Sequence, residues 1–508
     1  MQILGVVLRN LSKSRLLSFR QCAKRLWLEL HRPDLKQDSA ATQASYRTGH
    51  EIGAVARRIY DPEGRGAVVD AQVEGYPEAL ARSRRLLDGQ APVFEAGASA
   101  DGAIAFADVL LPVQRQDRLG WRMVEVKSSA RVKDYHRDDA AIQAFVFRAA
   151  GVALESISVA HVDGTFVYPG DGRYEGLLVE KDLTEDAFGR EAEVRGWLRD
   201  AHGVADLPEE PAIRTGGHCH SPFDCGFAAY CRSQEPQPRH STEVLPRVVG
   251  KVRSYIDEHA VVELAEVPDA LLSPVQLRVK AATLSGRPYF DASGAAAALA
   301  GHALPALFLD FEAIGPAVPL WKGMRPFQQV AFQFSLHRLE VGGRLEHVSF
   351  LCTDGSDPSA ALVESLVAAC GTAEPVFVYN AGFERGQLLD LARRIPARRE
   401  ALLGIADRLV DLLPIVRRFY YHPAQAGSWS IKAVLPTVAP DLAHAALDDV
   451  TDGGLAMEAY AEAIRPTTSP ERKARLERAL LAYCRLDTLA MVRLWQVLAG
   501  RQEPAPAS

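Results

Sequence analysis

WRMVEVKSS, residues 121–129, is the stretch on which the reading of the fold turns. It reads as an apolar strand, and the alternation of side chains across a strand puts Glu125 and Lys127 on one face. A carboxylate and an ammonium so placed on an apolar strand are costly to bury without a purpose. Upstream, AIAFADVL (104–111) is a second apolar strand, interrupted by Asp108, which can meet the pair from a neighbouring strand. Downstream, DDAAIQAFVFRAAG (138–151) has a helical pattern that puts Gln143 and Phe147 on one face. Two carboxylates hold a divalent cation through hard oxygen ligands, and a nearby lysine stabilises charge on a phosphate. The plain alternative is a cross-strand salt bridge on a half-exposed hairpin. Asp108 before the triplet and the Gln143 helix after it favour a catalytic site.

The chain around this stretch has 508 residues, 48% hydrophobic and 24% charged, which fits a globular protein of two or three domains. It contains no run of about 18 apolar residues, so no membrane span is expected. The apolar stretch of MQILGVVLRNLSKSR is too short for a signal peptide, and a cytoplasmic protein is expected. The formal net charge of −6 does not advertise nucleic-acid binding. Locally, Arg9, Lys13, Arg15, Arg20, Lys24 and Arg25 form a run without an acid, which suits either a phosphate backbone or a solvated helix face. Phe19 and Trp27 lie within or beside it and suit base stacking or, more simply, the core. Residues 1–232 read as one mixed α and β domain, and 233–300 as a linker and small helical bridge. Residues 301–500 read as a second α/β domain, and 501–508 as a disordered tail.

GGHCHSPFDCGFAAYC (216–231) holds Cys219, Cys225 and Cys231, a trio that makes neither a paired disulfide set nor a closed metal site. Cysteines grouped in a cytoplasmic chain suggest metal. Thiolates suit iron–sulfur or zinc, and the close C-x₂₋₄-C pairs usual for structural zinc are absent here. His218 and His220 flank Cys219 and keep zinc as an alternative. Cys352, Cys370 and Cys484 are dispersed and read as buried small hydrophobes.

A second group of acids lies in the C-terminal half. PALFLDFEAIG (305–315) is an apolar strand with Asp310 and Glu312 on one face. PVFVYNAGFERGQLLDLARR (375–394) reads as strand, turn and helix, with Glu384 on the helix. ERALLAYCRLDTLAMVRLWQVL (477–498) is an amphipathic helix whose apolar stripe contains Tyr483, Cys484 and Asp487. A carboxylate in a buried stripe needs a partner. Four converging carboxylates hold two cations about 4 Å apart, with Tyr483 placed to orient or deprotonate a water. Asp411 and Asp448/Asp449 are reserve acids, and Lys432 in GSWSIKAVLPTV (427–438) is a candidate phosphate contact.

The first group resembles the RecB-type branch of the PD-(D/E)XK nucleases, which have a sheet-borne Asp, an E-x-K strand and a Q-x-x-x-Y helix. Asp108, Glu125-Val126-Lys127, and Gln143 with Phe147 in the Tyr position take these places, and Glu95 matches an additional upstream acid. Gly53 stands where many relatives have a metal-binding His, with His50 out of register. Some members of that branch carry a four-cysteine iron–sulfur cluster, one cysteine before the nuclease core and three after. The resemblance therefore implies Cys22, Cys219, Cys225 and Cys231 as ligands of a 4Fe-4S cluster, a structural staple closing the whole domain.

The second group resembles the DEDD 3′→5′ exonucleases of the RNase H-like fold, in the subtype with a Y-x-x-x-D final motif. Asp310 and Glu312 match the first motif, Asn380-Ala381-Gly382-Phe383-Glu384 the second with Glu for Asp, and Tyr483 with Asp487 the third. The whole chain resembles an uncharacterised bacterial family joining the two. The resemblance implies an α/β architecture with a restriction-endonuclease-like domain, a helical bridge and an RNase H-like domain. It also implies Mg²⁺ or Mn²⁺ at both sites and hydrolysis of DNA, on single strands or frayed ends. The rival expectations are a catalytically weak nucleic-acid-binding scaffold, an iron–sulfur redox sensor and an RNA-directed exonuclease.

Overall fold

The computed structural model describes residues 10–115, 118–442, 450 and 452–501. Arg9, Asp448, Asp449 and tail residues 502–508 lie outside that range. The protein is a mixed α/β protein of two compact units, one formed by residues 1–236 with 316–328 and the other by 237–315 with 329–508. Among the described residues no helix is long and apolar enough to cross a membrane.

The first unit is built on a seven-stranded sheet: β1 (Leu11–Ser12), β2 (Ala67–Val68), β3 (Val93–Ala100), β4 (Ala103–Arg115), β5 (Arg118–Lys127), β6 (Leu154–Val162) and β7 (Leu178–Asp182). The order is β2-β3-β4-β5-β6-β7, with β1 parallel to β4 beside the main path. β3, β4 and β5 form an antiparallel meander, and β6 returns parallel to β5. A parallel return needs a crossover, supplied by the helix Asp134–Ala149. Trp121 and Met123 of β5 share a core with that helix, while Val124 packs on the opposite face with Phe94, Val109 and Ala160. Glu125 and Lys127 continue the odd-numbered, helix-facing side.

Two features depart from the boundaries expected above. The bridge is no separate element: Leu245, Val252, Leu264, Val279 and Leu299 share one core with Phe308 and Trp495. A short sheet also ties it down, β8 (Tyr289–Phe290) pairing antiparallel with β14 (Tyr420–Tyr421). Residues 316–328, expected in the C-terminal domain, belong to the first unit, where Ala317 packs with Ile52, Val55, Val162 and Leu177. Tyr168 fixes that segment, its N–H donating to Met324 O at 3.0 Å and its carbonyl accepting from Gly323 N at 2.8 Å.

The second unit has a five-stranded sheet of β9 (Ala306–Ile314), β10 (Val330–Leu339), β11 (Leu345–Leu351), β12 (Val376–Val378) and β13 (Leu409–Asp411), in the order β11-β10-β9-β12-β13. β9, β10 and β11 are antiparallel neighbours, whereas β12 runs parallel to both β9 and β13. The helix Pro470–Leu498 lies against the face of β9 that carries Ala306 and Phe308, packing there through Met491, Leu494 and Trp495. A buried polar seam fixes its register: Gln333 Nε2 donates to Leu480 O at 2.8 Å, and Thr488 Oγ1 lies 2.8 Å from both Ser335 Oγ and His337 Nδ1.

Candidate active sites

The first site forms where the β4–β5 ladder ends. Its last regular pair is Val109 with Val124, and beyond it Asp108 Oδ2 accepts the Val126 N–H at 2.6 Å in place of a backbone carbonyl. Further back along β4, β1 pairs with Ala103 and Ile104. Ser12 ends β1 and caps the helix Lys13–Gln21, so Lys13 is the first helical residue. Its Nζ lies 2.8 Å from Glu125 Oε1 and 3.2 Å from Asp139 Oδ1. Lys127 Nζ donates to the same Glu125 Oε1 at 2.7 Å and also to Asp139 Oδ2. Gln143 Nε2 donates to Glu125 Oε2. Two ammonium groups and two carboxylates thus alternate around one buried square, with Glu125 only 1% and Asp139 2% exposed.

The site therefore unites Asp108, Glu125, Lys127 and Gln143 as the sequence suggested, and adds Lys13 and Asp139. Asp139 left a signal, one helical turn before Gln143 on the same face. Lys13 left none. Burial alone would depress both ammonium groups, but Asp139 and Glu125 override it and hold Lys13 and Lys127 above the usual lysine range. Asp139 is held below the usual carboxylate range because Lys127 and Lys13 outweigh its burial. Burial and the Glu125 charge push Asp108 well above that range, against the pull of the lysines.

Glu95 lies between the paired Phe94–Val109 and Ala96–Ala107, and holds a left-handed φ of 55°. Both strands change face at this point, since Phe94 and Val109 belong to one cluster and Ala96 and Ala107 to the other. Burial and Glu125 raise the Glu95 carboxyl, while Lys13, Arg57 and His50 oppose the rise. His50, on the helix Ala40–Tyr60, is exposed and within electrostatic reach of Glu95. A Cβ added at Gly53 meets nothing within 4 Å. The rest of the basic run is largely spent on internal partners: Arg20 on Asp138 at 3.3 Å, Lys24 on Glu210 at 3.1 Å and Arg25 on Glu29 at 3.1 Å. Phe19 packs against the core, and Trp27 Nε1 donates to Leu207 O at 3.0 Å.

The four cysteines of the first unit line one cavity with Lys24, Arg25, His218 and Phe227. Cys22 sits between the helices Lys13–Gln21 and Ala23–His31. Cys219 closes a short turn whose carbonyl accepts Cys225 N at 2.8 Å, and Cys231 lies on the helix Ala228–Ser233. Gln21 Nε2 clamps the later segment to the first helix through His218 O at 2.6 Å and Phe223 O at 2.7 Å. Burial raises the Cys231 thiol to about 11, with Lys24 opposing and the other three thiols adding. His220 faces away, its Nδ1 3.0 Å from Asp224 Oδ1 on the surface. The donor set in the cavity is sulfur with basic neighbours, which fits an anionic thiolate cluster.

In the second unit Asp310 and Glu312 lie on β9 opposite Ser335 and Gln333 of β10, residues already seen to face the helix Pro470–Leu498. The two acids therefore share that face. Tyr483, Cys484 and Asp487 meet them from the helix, all of them buried. Cys484, expected to be a plain core residue, has its Sγ 3.6 Å from Asp310 Oδ2. Among the described residues, Asp310, Glu312 and Cys484 bring their ligand atoms within 4.8 Å of one another, tight enough to share a metal ion.

Glu384 stands in the first turn of the helix Ala381–Arg394, which follows a left-handed Asn380 with φ 75°. It is 2% exposed, and its Oε2 has no hydrogen-bond partner. Asp411 is a structural acid: its carboxylate accepts Asn380 N at 2.9 Å, Ala381 N at 3.0 Å and Leu413 N at 3.0 Å, fixing the turn that presents Glu384. Lys432, on the helix Ile431–Val438, places its Nζ 4.9 Å from the centre of the Tyr483 ring.

Charge is concentrated here without full compensation. Burial, then Asp487, push the Glu312 carboxyl up to about 8, with Lys432 opposing and Glu384 adding. Burial and Asp487, Glu312 and Glu384 push Asp310 well above the carboxylate range. Burial chiefly, and Asp411 in part, raise Glu384 to about 8. Burial and Asp487 hold the Tyr483 phenol well above its ordinary value.

Residues 307–430 match the family model described as a domain of unknown function, DUF2779. That span contains Asp310, Glu312 and Glu384 and stops before Tyr483 and Asp487. No curated protein matches the chain.

Proposed function

We propose that the chain is a metal-dependent nuclease with two hydrolytic sites, one on each unit, acting on single-stranded or frayed DNA. The observation that carries the reading is the second cluster: Asp310, Glu312, Glu384 and Asp487 are acids with little exposure, and the charges of Asp487 and Glu384 bear on Asp310 and Glu312, an arrangement that a divalent cation relieves. The strand order β11-β10-β9-β12-β13 with the acids on the central strand supports an RNase H-like exonuclease. In the first unit the meander, crossover helix and parallel strand, with Asp108 of β4 meeting the end of β5 that carries Glu125 and Lys127, support a PD-(D/E)XK reading.

Asp108 and Glu125 in the first unit, and Asp310, Glu312, Glu384 and Asp487 in the second, are the residues that would hold Mg²⁺ or Mn²⁺. A bound cation supplies Lewis acidity that lowers the pKa of water and offsets phosphoryl charge. The chain supplies the rest. Gln143 fixes one Glu125 oxygen, and Lys127 presents an ammonium to a phosphate oxygen. Tyr483 offers its phenol as a donor that orients a water, and Lys432 stands beside it as a phosphate contact. The thiols of Cys22, Cys219, Cys225 and Cys231 would hold an iron–sulfur cluster as a staple of the first unit. Replacing Cys22 by Ser is expected to bleach the visible absorption of the protein, and unchanged colour contradicts that ligand set.

The reading as a whole is tested with labelled single-stranded DNA and a matched RNA, each with Mn²⁺ and with chelator. Cleavage of DNA that stops on chelation is expected. Cleavage of RNA alone reassigns the substrate, and no cleavage of either by folded protein leaves a nucleic-acid-binding scaffold.

A further inference from the structure

We propose that Cys484 is a metal ligand, and that with Asp310 and Glu312 it forms a mixed carboxylate–thiolate site for a borderline-soft divalent cation of the zinc and cobalt class. The inference rests on the reading of the second acidic cluster as a cation site, and departs from it by adding sulfur to an oxygen set.

The geometry starts from the helix Pro470–Leu498, on which Cys484 lies one residue after Tyr483 and three before Asp487, fully buried on the face that meets β9. Its sulfur lies 3.6 Å from Asp310 Oδ2. A metal bonded to sulfur at about 2.3 Å and to oxygen at about 2.1 Å, at a tetrahedral angle, holds those two donors about 3.6 Å apart. The Glu312 carboxylate falls within the same 4.8 Å group. A thiol is only a weak hydrogen-bond donor, so the contact alone leaves the half-buried Asp310 poorly compensated. A second observation concerns a neighbouring acid. Glu384 Oε2 is buried without a partner, and the Glu384 charge acts on both Asp310 and Glu312. A buried carboxylate oxygen without a partner calls for a compensating charge nearby.

Ligand chemistry sets the selectivity. Carboxylates alone suit Mg²⁺ and Mn²⁺, whereas a thiolate added to them shifts preference toward Zn²⁺ and Co²⁺. Mg²⁺ prefers near-octahedral oxygen coordination and keeps several waters, so a sulfur donor lowers its standing at this site relative to Zn²⁺ and Co²⁺. On binding, the thiol proton passes to solvent and the sulfur lone pair forms the new bond.

The test is a Co²⁺ titration of the full-length protein, read by thiolate-to-cobalt charge-transfer absorption in the near ultraviolet. Wild type is compared with Cys484→Ser and Cys484→Ala, the second variant guarding against a misfolded first. Absorption from the four cysteines of the first unit is common to all three and cancels in the difference spectra. The expected result is a difference band that saturates with a single Co²⁺ and also vanishes in Asp310→Asn. Co²⁺ affinity at this site is expected to fall roughly tenfold or more in the Cys484 variants. Flat difference spectra, with circular dichroism unchanged, overturn the proposal. Cleavage of DNA without the band removes the sulfur ligand and leaves the nuclease reading standing. The band without cleavage does the reverse.

Discussion

In the first unit Glu125 and Asp139 are each bridged by the same two ammonium groups, from Lys13 and Lys127, and all four charges close on one another. In the second, Asp310 and Glu312 face Asp487 and Glu384, with Lys432 as the opposing charge acting on Glu312. Both clusters bury acids on a central strand under a helix. They differ in what balances the charge. The first carries its cations in the chain, so it is close to neutral before any metal arrives. The second stores like-charge repulsion that protons or a bound cation relieve. A cation should therefore affect the stability of the second unit far more than that of the first.

The largest expected effect is on stability against pH. Glu312 and Glu384 rise from 4.5 to about 8 in the folded, metal-free protein, chiefly through burial. The folded state binds their protons more tightly than the unfolded chain. Their contribution is therefore fully present below about pH 4.5 and is lost as pH rises through about 8. Melting of metal-free protein across that window is expected to show a falling Tm. Glu312→Gln, Glu384→Gln or added Mn²⁺ should each flatten the fall. A slope unchanged by all three would break the contrast between the two sites.

The next effect concerns the first site. Lys13→Met removes one of two ammonium groups from a pair of buried carboxylates, and urea unfolding is expected to show a loss of about 3 kcal/mol. Lys13→Arg should recover much of it. An unchanged midpoint in Lys13→Met would mean that Lys127 alone balances the cluster. The smallest effect sharpens the comparison from the side of the helix Ala40–Tyr60. Gly53→His has open space for its Cβ and replaces a poor helix former with a somewhat better one, so a gain of about 0.3 kcal/mol is expected. If the imidazole reaches the Asp108–Glu125 site, Mn²⁺ should add more to the Tm of this variant than to wild type. Equal increments would place the side chain outside the site.

Much of this was legible in local pattern. The alternation that paired Glu125 with Lys127, and Asp310 with Glu312, is a property of any strand, and the strands lie close to where the apolar runs put them. The helix carrying Gln143 begins at Asp134 rather than 138, with His136 Nδ1 accepting the Lys133 N–H at 3.1 Å at its start. What stayed hidden depends on contacts between distant parts of the chain. Lys13 reaches Glu125 across 112 positions because β1 and β5 share one edge of β4. Cys484 looked like any small residue on an apolar stripe, since only the position of Asp310 gives its sulfur a polar neighbour. Residues 316–328 gave no sign that they pack in the first unit, because apolar residues do not name their partners. Asp411 looked like a spare acid until its three backbone donors were seen.

Two hydrolytic sites of different electrostatic design, as proposed, would separate in the cutting of single-stranded DNA labelled at either end. Wild type, Lys127→Ala and Asp310→Ala would be compared with Mn²⁺, each checked for fold. Lys127→Ala is expected to abolish one cleavage pattern and leave 3′-end trimming, while Asp310→Ala is expected to remove the trimming and spare the other. Loss of all cleavage in either single variant, or unchanged cleavage in both, would contradict this two-site reading.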